Sequence, residues 1–591
     1  MNLPEFLRIV DSKASNMTQE QLMIFVHNLA RTLPESKRLD FLTKLSNVND
    51  ISDTEKVVSE IEKDKIKELR INVEQIKQKL SLVKKGDLCL SGYLNEEYDD
   101  WYNSDEDEFL YEDSEGVLDI IENACKIVHQ CVDYELFKEG YELADILLTA
   151  EIMVKGDYLE YANTPLYMAE LDSKGLIKYE YRRLVLEALY CAYQSHSNQS
   201  RPEVLYRIIC NSECDDITLE NMMQDAKEDL EQQDEFLDAW ICYLGERVGT
   251  EAEKYLKEAV ALKNNVAKSL EYARRFFPYH PGIYEQIMLQ VAISGNDEEL
   301  FSIGQEALSS IQKQYLVRSR IALLAASASL RLGKQEEAEE CWVEAFQSDT
   351  KTLHYLRLIC ESLDNSRHRE CLKTVYVSEF EKAKKENNRS YQSGELRVNM
   401  LDNHSYYTIA FFDGEFQHVI NAGMNVKEAL GWSSTFMKSG IALFLLFLYQ
   451  GEDLSAGCRE MCENIVSMIG FSVEEYSKGL NHIFEMNNIE LFWNLFTKWK
   501  KSMFMAEAEQ ESIISKLEKW IQMRVEGIMQ KNRRNYYGEC AAFVAALGEV
   551  RESRGEKNGK DYLLEVYRAQ YSRRSAFQSE LRDFGMKGRK K

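Results

Sequence analysis

Apolar positions between Ser319 and Lys351 follow a helical rhythm twice, with one interruption. Upstream, Ile321, Leu323, Leu324, Ala328, Leu330 and Leu332 make an apolar helix with small Ala and Ser residues among the large ones. Downstream, Ala338, Cys341, Trp342, Ala345 and Phe346 lie on one face of a 3.6-residue helix. Gly333-Lys334 marks the turn, because glycine takes the positive φ that ends a helix without a Cβ penalty. Glu336 and Glu337 then fall in the first turn of the second helix, where the N-terminal partial charge favours carboxylates.

This stretch resembles a tetratricopeptide repeat. Ala326, Ala338 and Ala345 fall where that family uses small residues, and Trp342 falls at a large-residue position. Thr350 stands in place of the usual closing Pro. Neighbouring stretches echo the pattern. Trp240-Ile241-Cys242 leads to Ala252, Leu256 and Ala259; Tyr284–Ser294 leads through Gly295 to Leu300 and Ala307. The step from Ala259 to Ala307 is 48 residues and from Ala307 to Ala345 is 38, so degenerate repeats with variable loops are predicted. Tyr406–Val419 again reads helix, Gly414 turn, helix. Ala429–Gln450 contains a buried helix, with Ser433–Thr435 as its expected cap.

Upstream, Thr18 with Gln21 fits a capping box, followed by an apolar stripe from Leu22 to Leu33. From Thr54 to Val83 apolar residues are sparse among charges, which predicts an exposed helix or short coiled coil. Residues 86–115 hold twelve acids interleaved with Tyr93, Tyr98, Trp101, Tyr102, Phe109 and Tyr111, and read as a poorly ordered acidic linker. Counting from Asp105, an EF-hand would need Gly where Leu110 stands. Helices are expected at Val117–Val132, Tyr141–Lys155 and Tyr179–Gln194. The predicted fold is therefore all-α. A small helical N-terminal module (1–85) and the acidic linker (86–115) precede an α/α superhelix, a degenerate tetratricopeptide-like solenoid (116–525). A basic C-terminal helical region (526–591) follows.

Composition narrows the function. No proline follows Pro281, and the chain has only six in 591 residues, which suits continuous helical pairs. The net charge of −27 argues against polyanion binding by the molecule as a whole. Met1–Val10 has no long apolar core, and the longest apolar run, Ile441–Tyr449, is too short to span a bilayer. Thirteen cysteines with no secretory signal are expected to be reduced thiols of a cytoplasmic protein.

The tail changes sign. Tyr536–Val550 (YYGECAAFVAALGEV) and Tyr562–Gly585 (YLLEVYRAQYSRRSAFQSELRDFG) resemble the C-terminal helical region of bacterial SWIM zinc-finger proteins and related helical proteins. The resemblance covers the C-terminal half and implies a helical scaffold. The SWIM finger pairs C-x-C with a later C-x-H; this chain contains neither, so the zinc module is not carried over. Arg568, Arg573, Arg574 and Arg582 are the candidate contacts to a partner or polyanion. We expect them instead to pair with acids of this chain, the linker at 96–115 among them.

Chemistry is sparse. There is no G-x-x-x-x-G-K-[ST], H-E-x-x-H or G-x-S-x-G. Cys125 and His129 share a helix face at a spacing that suits two metal ligands, and equally suits a half-buried helix, the reading we adopt. Cys210 and Cys214 repeat the spacing without favouring a four-ligand zinc site. His482 and Glu485, three apart on an expected helix, suit a packing contact. No catalytic residue, metal or cofactor is assigned. The expectation is a non-catalytic scaffold that binds a protein or peptide in a groove between helical repeats. A nucleic-acid-associated scaffold using the basic tail is the lesser alternative, and no membrane partner is expected.

Overall fold

The computed structural model describes residues 54–94, 109–156, 165–212, 214, 216–225, 230–364, 366–385 and 400–585, with a few single positions nearer the N-terminus. The protein is all-α apart from three short strands among these residues. It divides into two compact units, Met1–Phe236 and Leu237–Lys591, so the division falls inside the segment expected as one solenoid. The capping box at Thr18 and most of the acidic run lie outside the described residues.

In the first unit, α1 (Thr54–Lys84) buries Leu69, Val73, Ile76, Leu80 and Val83. Their alternating spacing of four and three keeps one stripe facing α2 (Val117–Asp133) and α3 (Phe137–Leu148). The charged residues that suggested a solvated helix occupy the other faces. Helices α2 and α3 pack on each other and on α5 (Tyr181–Ser195), with α4 (Met168–Ser173) beside α5. Helices α6 (Arg201–Asn211) and α7 (Leu219–Asp225) also contact α5.

The described flanks of the acidic segment are strands, not linker. Leu90–Leu94 (β1) pairs antiparallel with Phe109–Glu112 (β2) in the register Ser91 to Glu112 and Leu94 to Phe109. Val154–Lys155 (β3) adds to β1 in parallel, within a stretch expected to be helical. The helix expected to reach Lys155 ends at Leu148. Two of the acids have local tasks. Asp113 accepts from the backbone N–H groups of Val117 and Leu118, both at 2.8 Å, satisfying the start of α2. Glu115 accepts from the Cys89 N–H at 2.7 Å.

The second unit continues from α8 (Gln233–Gly245), which crosses the division. Seven helices follow: α9 (Thr250–Lys263), α10 (Val266–Phe276), α11 (Gly282–Ser294), α12 (Asp297–Ser310), α13 (Val317–Arg331), α14 (Gln335–Ser348) and α15 (Thr352–Glu361). Helices α10 to α14 pack on their sequence neighbours, and α11 also on α9 and α13. Gly333 turns α13 into α14 at φ 73°, and Gly295 turns α11 into α12 at φ 74°. Ala326, Ala338, Trp342 and Ala345 are all buried in the core, as the repeat pattern predicts.

A ladder of polar contacts links helices two apart. Arg274 holds Glu306 with two bonds of 2.8 Å across 32 residues. Arg320 holds Glu285 across 35. Tyr272 donates to Asp238 across 34. The near-constant separation is the length of one helix pair plus its turns.

From α15 the packing reaches helices far along the chain. Helices α16 (Ser366–Lys385) and α17 (Asn403–Phe412) follow, and Asp413 at the end of α17 accepts from Tyr355 and Tyr376 at 2.8 and 2.9 Å, joining α15, α16 and α17. Next come α18 (Met437–Leu448), α19 (Ala456–Met468), α20 (Val473–Ser477), α21 (Asn488–Ser502), α22 (Glu507–Gln530), α23 (Tyr537–Ser553), α24 (Gly559–Gln570) and α25 (Ser575–Asp583). Helices α20 and α21 return to pack on α15. Lys498 donates to the Cys360 carbonyl at 2.5 Å, and Trp499 to the Phe412 carbonyl at 2.8 Å.

The Ala-rich stretch of the tail is explained by a close helix crossing. A Cβ on Gly457 of α19 would lie 2.4 Å from the backbone nitrogen of Ala546 on α23. Glu549, also on α23, accepts from the Gly457 and Cys458 N–H groups at 3.0 and 2.8 Å and from Ser455 Oγ at 2.6 Å. It thereby caps α19 from a distance, with Lys560 neutralising it at 2.6 Å.

The buried helix α18 lacks its expected cap: its N-cap residue is Phe436, and Thr435 Oγ1 instead bonds back to the Trp432 carbonyl. His482 and Glu485 lie in an irregular stretch between α20 and α21 rather than on a helix, and His482 Nδ1 contacts Asn481 at 3.1 Å.

Candidate functional site

A polar groove of about 460 Å³ opens on the best-preserved repeat, between α12, α13, α14 and α16. Its floor is rigid. Arg318, only 3% exposed, donates to the carbonyls of Leu308 and Ile311, which α12 leaves unpaired at its C-terminal end. The same guanidinium holds Glu344 at 2.6 Å. On the wall, Glu339 accepts from the Leu363 N–H at 2.8 Å and faces His368 at 3.2 Å. At the rim Gln305, Ser309, Glu340 and Arg367 are exposed, and Arg367 makes no ion pair among the described residues.

The one thiol in the groove, Cys341, is pushed up to about 12 by burial and by the neighbouring glutamates, so it is a thiol and not a thiolate at neutral pH. The rim carries both donors and acceptors over a base in which Arg318 and Glu344 are already paired.

Beneath the groove, Ser319, His354 and Asp349 come together in an arrangement that superficially suggests acyl-transfer chemistry. Its geometry does not serve that purpose. Ser319 Oγ (3.1 Å) and Asp349 Oδ2 (3.6 Å) face the same ring nitrogen, His354 Nε2. Nδ1 accepts from Arg357 at 2.8 Å, and arginine only donates, so the proton of the neutral ring sits on Nε2. A nucleophile facing a protonated nitrogen has no base. All three groups are buried. Arg357, brought down to about 10 by burial, also donates to the carbonyls of Tyr476 and Glu475 at 3.1 and 3.0 Å. The cluster ties α15 to the returning α20.

Two of the four candidate arginines of the tail are held within the chain. Arg568 is paired with Glu565 on its own helix. Arg574 donates to Asn532 at 2.7 Å and to the Met529 carbonyl at 3.0 Å, closing the C-terminal end of α22. Arg573 and Arg582 are exposed and make no ion pair among the described residues. Of the acidic segment expected as the partner of this tail, 96–115, positions 96–108 lie outside the described residues.

Among the described residues no group of three or more His, Cys, Asp or Glu is placed to hold a metal ion. Cys125 and Cys131 are fully buried and both pushed up to about 12, chiefly by burial, while Cys210 is exposed. His129 is engaged by Glu187 at 2.8 Å, which also accepts from Tyr179 at 2.6 Å. No helix among the described residues is long and apolar enough to cross a membrane.

Sequence reasoning named the repeat that carries the groove but not the groove residues. Arg274 and Glu306, and Arg320 and Glu285, are opposite charges about one helix pair apart, a signal that was present in the sequence. No known family model matches the chain, and no curated protein is significantly similar to it.

Proposed function

We propose that this chain is a non-catalytic scaffold whose helical repeats form a degenerate solenoid, and that it binds a protein or peptide partner in the groove on its best-preserved repeat. The observation that carries the reading is the groove: exposed Gln305, Ser309, Glu340 and Arg367 stand over a floor locked by Arg318 and Glu344. A cleft of this kind offers an extended peptide both charge signs and amide-like partners without reorganisation of its base. The ladder of contacts at separations of 32 to 35 residues supports the repeat reading, because it recurs with the period of one helix pair.

A photo-crosslinker placed at Glu340 in cells, with one on the far side of α16 at Lys384 as control, tests this. A protein captured at 340, absent at 384 and lost in Arg367→Glu is the expected result. Equal capture at both positions overturns it.

The alternative, a nucleic-acid-associated scaffold related to SWIM zinc-finger proteins, would rest on Arg573 and Arg582, since Arg568 and Arg574 are held within the chain.

A further inference from the structure

Helices α19 and α21 pack on each other, and residues 469–487 loop out between them. The loop's one helix is α20, five residues long. A helix that short is not stable in water by itself. Its shape is therefore set by what it lies on, which is the repeats. Helix α20 packs on α15, and Gly479 just beyond it lies against Leu323 of α13 and Trp342 of α14.

The repeats hold this loop by its backbone. Arg357 of α15 donates to the carbonyls of Glu475 and Tyr476 at 3.0 and 3.1 Å, and Trp342 of α14 donates to that of Gly479 at 2.8 Å. One side chain of the loop is read as well: the Tyr476 hydroxyl donates to Glu361 at 2.8 Å, with its ring buried. Gly479 is required by space, since a Cβ there would lie 2.7 Å from Leu323 Cδ2. Side-chain donors on main-chain carbonyls, one pocketed aromatic and one position open only to glycine are features by which a protein holds a peptide segment.

The closed arrangement carries a cost. Arg357 is completely buried, and its partners are two carbonyls and the His354 ring rather than a carboxylate. A cation taken out of water on such terms keeps part of its desolvation penalty. Further along, the loop turns back to solvent: Asn481, His482 and Glu485 are exposed, and Ile483 is 74% exposed. The polar grip on the loop is thus concentrated in residues 475–479. Contacts this local can be matched, bond for bond, by a second segment with the same residues.

We infer that Trp342, Arg357 and Glu361 form a peptide-binding face that the chain's own loop occupies, and that a partner segment with tyrosine three positions before glycine competes for it. The partner's tyrosine would donate to Glu361, its glycine would lie against Leu323, and its carbonyls would accept from Arg357 and Trp342. The face is separate from the groove, and the inference stands whether or not the groove binds a partner.

The test uses the full chain and a fluorescent peptide of residues 471–481 (FSVEEYSKGLN). In the parent chain the loop acts at an effective concentration on the order of millimolar, so the free peptide should bind only weakly. Tyr476→Ala in the chain loosens the loop, and that variant should bind the peptide about tenfold or more tightly than the parent does. Peptides carrying Tyr476→Ala or Gly479→Val should not bind. In the loosened chain, Trp342→Phe should weaken binding about fivefold, the loss of one hydrogen bond. Where Tyr476→Ala does not fold, the parent nicked by protease within the exposed stretch 481–485 replaces it, and excess peptide should raise hydrogen exchange in the chain's own 471–481. The inference fails if the peptide at millimolar concentration neither binds nor changes that exchange, which would make the loop an ordinary part of the core. It also fails if the altered peptides bind as well as the original, if Trp342→Phe has no effect, or if the parent binds the peptide as tightly as the loosened chain.

Discussion

Trp342 donates its indole N–H to the carbonyl of Gly479 at 2.8 Å, across 137 residues of chain. Trp342 belongs to the best-preserved repeat, and Gly479 to the irregular stretch after α20. Gly479 has φ 84°, and a Cβ there would sit 2.7 Å from Leu323 Cδ2 and 3.3 Å from the indole nitrogen. The bond thus needs both a positive-φ backbone and the absence of a side chain. Trp342→Phe should destabilise the second unit by about 1–3 kcal/mol through an unmet buried carbonyl. Gly479→Ala should cost about the same through strain and crowding. Because the two residues touch, the double variant should depart from additivity in a denaturant titration.

Arg357 should be still less replaceable. Its guanidinium serves His354 and the carbonyls of Tyr476 and Glu475 together, and lysine cannot reproduce that fork. We expect Arg357→Lys to lose more than about 2 kcal/mol. Limited proteolysis should show faster cleavage between 470 and 487, where the released segment would open first.

Stability should fall on mild acidification. Burial holds His354 below its ordinary value of 6.5, outweighing the pull of Asp349, with Arg357 acting in the same direction as burial. The unfolded chain therefore takes up a proton that the folded chain refuses as pH drops below 6.5. The stability present above that pH is lost progressively toward the lower folded value. Asp349 adds a second loss in the same direction. Burial pushes it up, but His354 and Lys351 outweigh burial and hold it below 3.8, so its contribution disappears only at lower pH. His354→Gln should flatten the first slope, read from melting temperatures between pH 7 and pH 4, and should also shrink the second below pH 3.8, because His354 is the first of the groups that hold Asp349 down.

Thiol titration should separate the thirteen cysteines into classes. Cys210 and Cys371 are exposed, Cys214 and Cys242 are half-buried, and the remaining nine are buried. Burial is the leading cause of the raised values at Cys341, Cys360, Cys462 and Cys540, each at about 12. With a disulfide reagent at pH 8, two thiols should react fast, two more slowly, and nine only on unfolding. Rapid reaction of Cys341 would contradict the groove as described.

Salt dependence decides the nucleic-acid alternative. With only Arg573 and Arg582 unpaired among the four candidate arginines, and a net charge of −27, the full chain should show no retention on single-stranded nucleic acid even at low salt. Retention abolished by Arg573→Glu with Arg582→Glu would reinstate that reading.

What was legible in the sequence was local. The helix pair at Ser319–Lys351 could be read because turn glycine, small residues and apolar period agree over one short span. The stripe on α1 was present at Leu69, Val73, Ile76, Leu80 and Val83 but was masked by the charges between them. The hairpin of Leu90–Leu94 with Phe109–Glu112 was missed because acids and aromatics in alternation look alike in a strand and in low-complexity chain. The return of Gly479 and Tyr476 onto the repeats left no periodic trace, since single contacts at long separation carry no rhythm. The groove shares that limitation: Gln305, Ser309, Glu340 and Arg367 are ordinary polar residues until three helices bring them to one rim.

The return of α20 and α21 onto α15 changes how this protein can come apart. An open repeat array loses its end units one at a time, because each unit leans only on the next. Here α15 is held from outside by Lys498 and the acceptors of Arg357, and α17 beyond it by Trp499. A chain cut after residue 470 would therefore not be a shorter version of the same array; it would leave the end repeats without their closing contacts. Pulled from its ends, the second unit should yield as a block in one large step, where a bare stack of helix pairs would stretch like a spring.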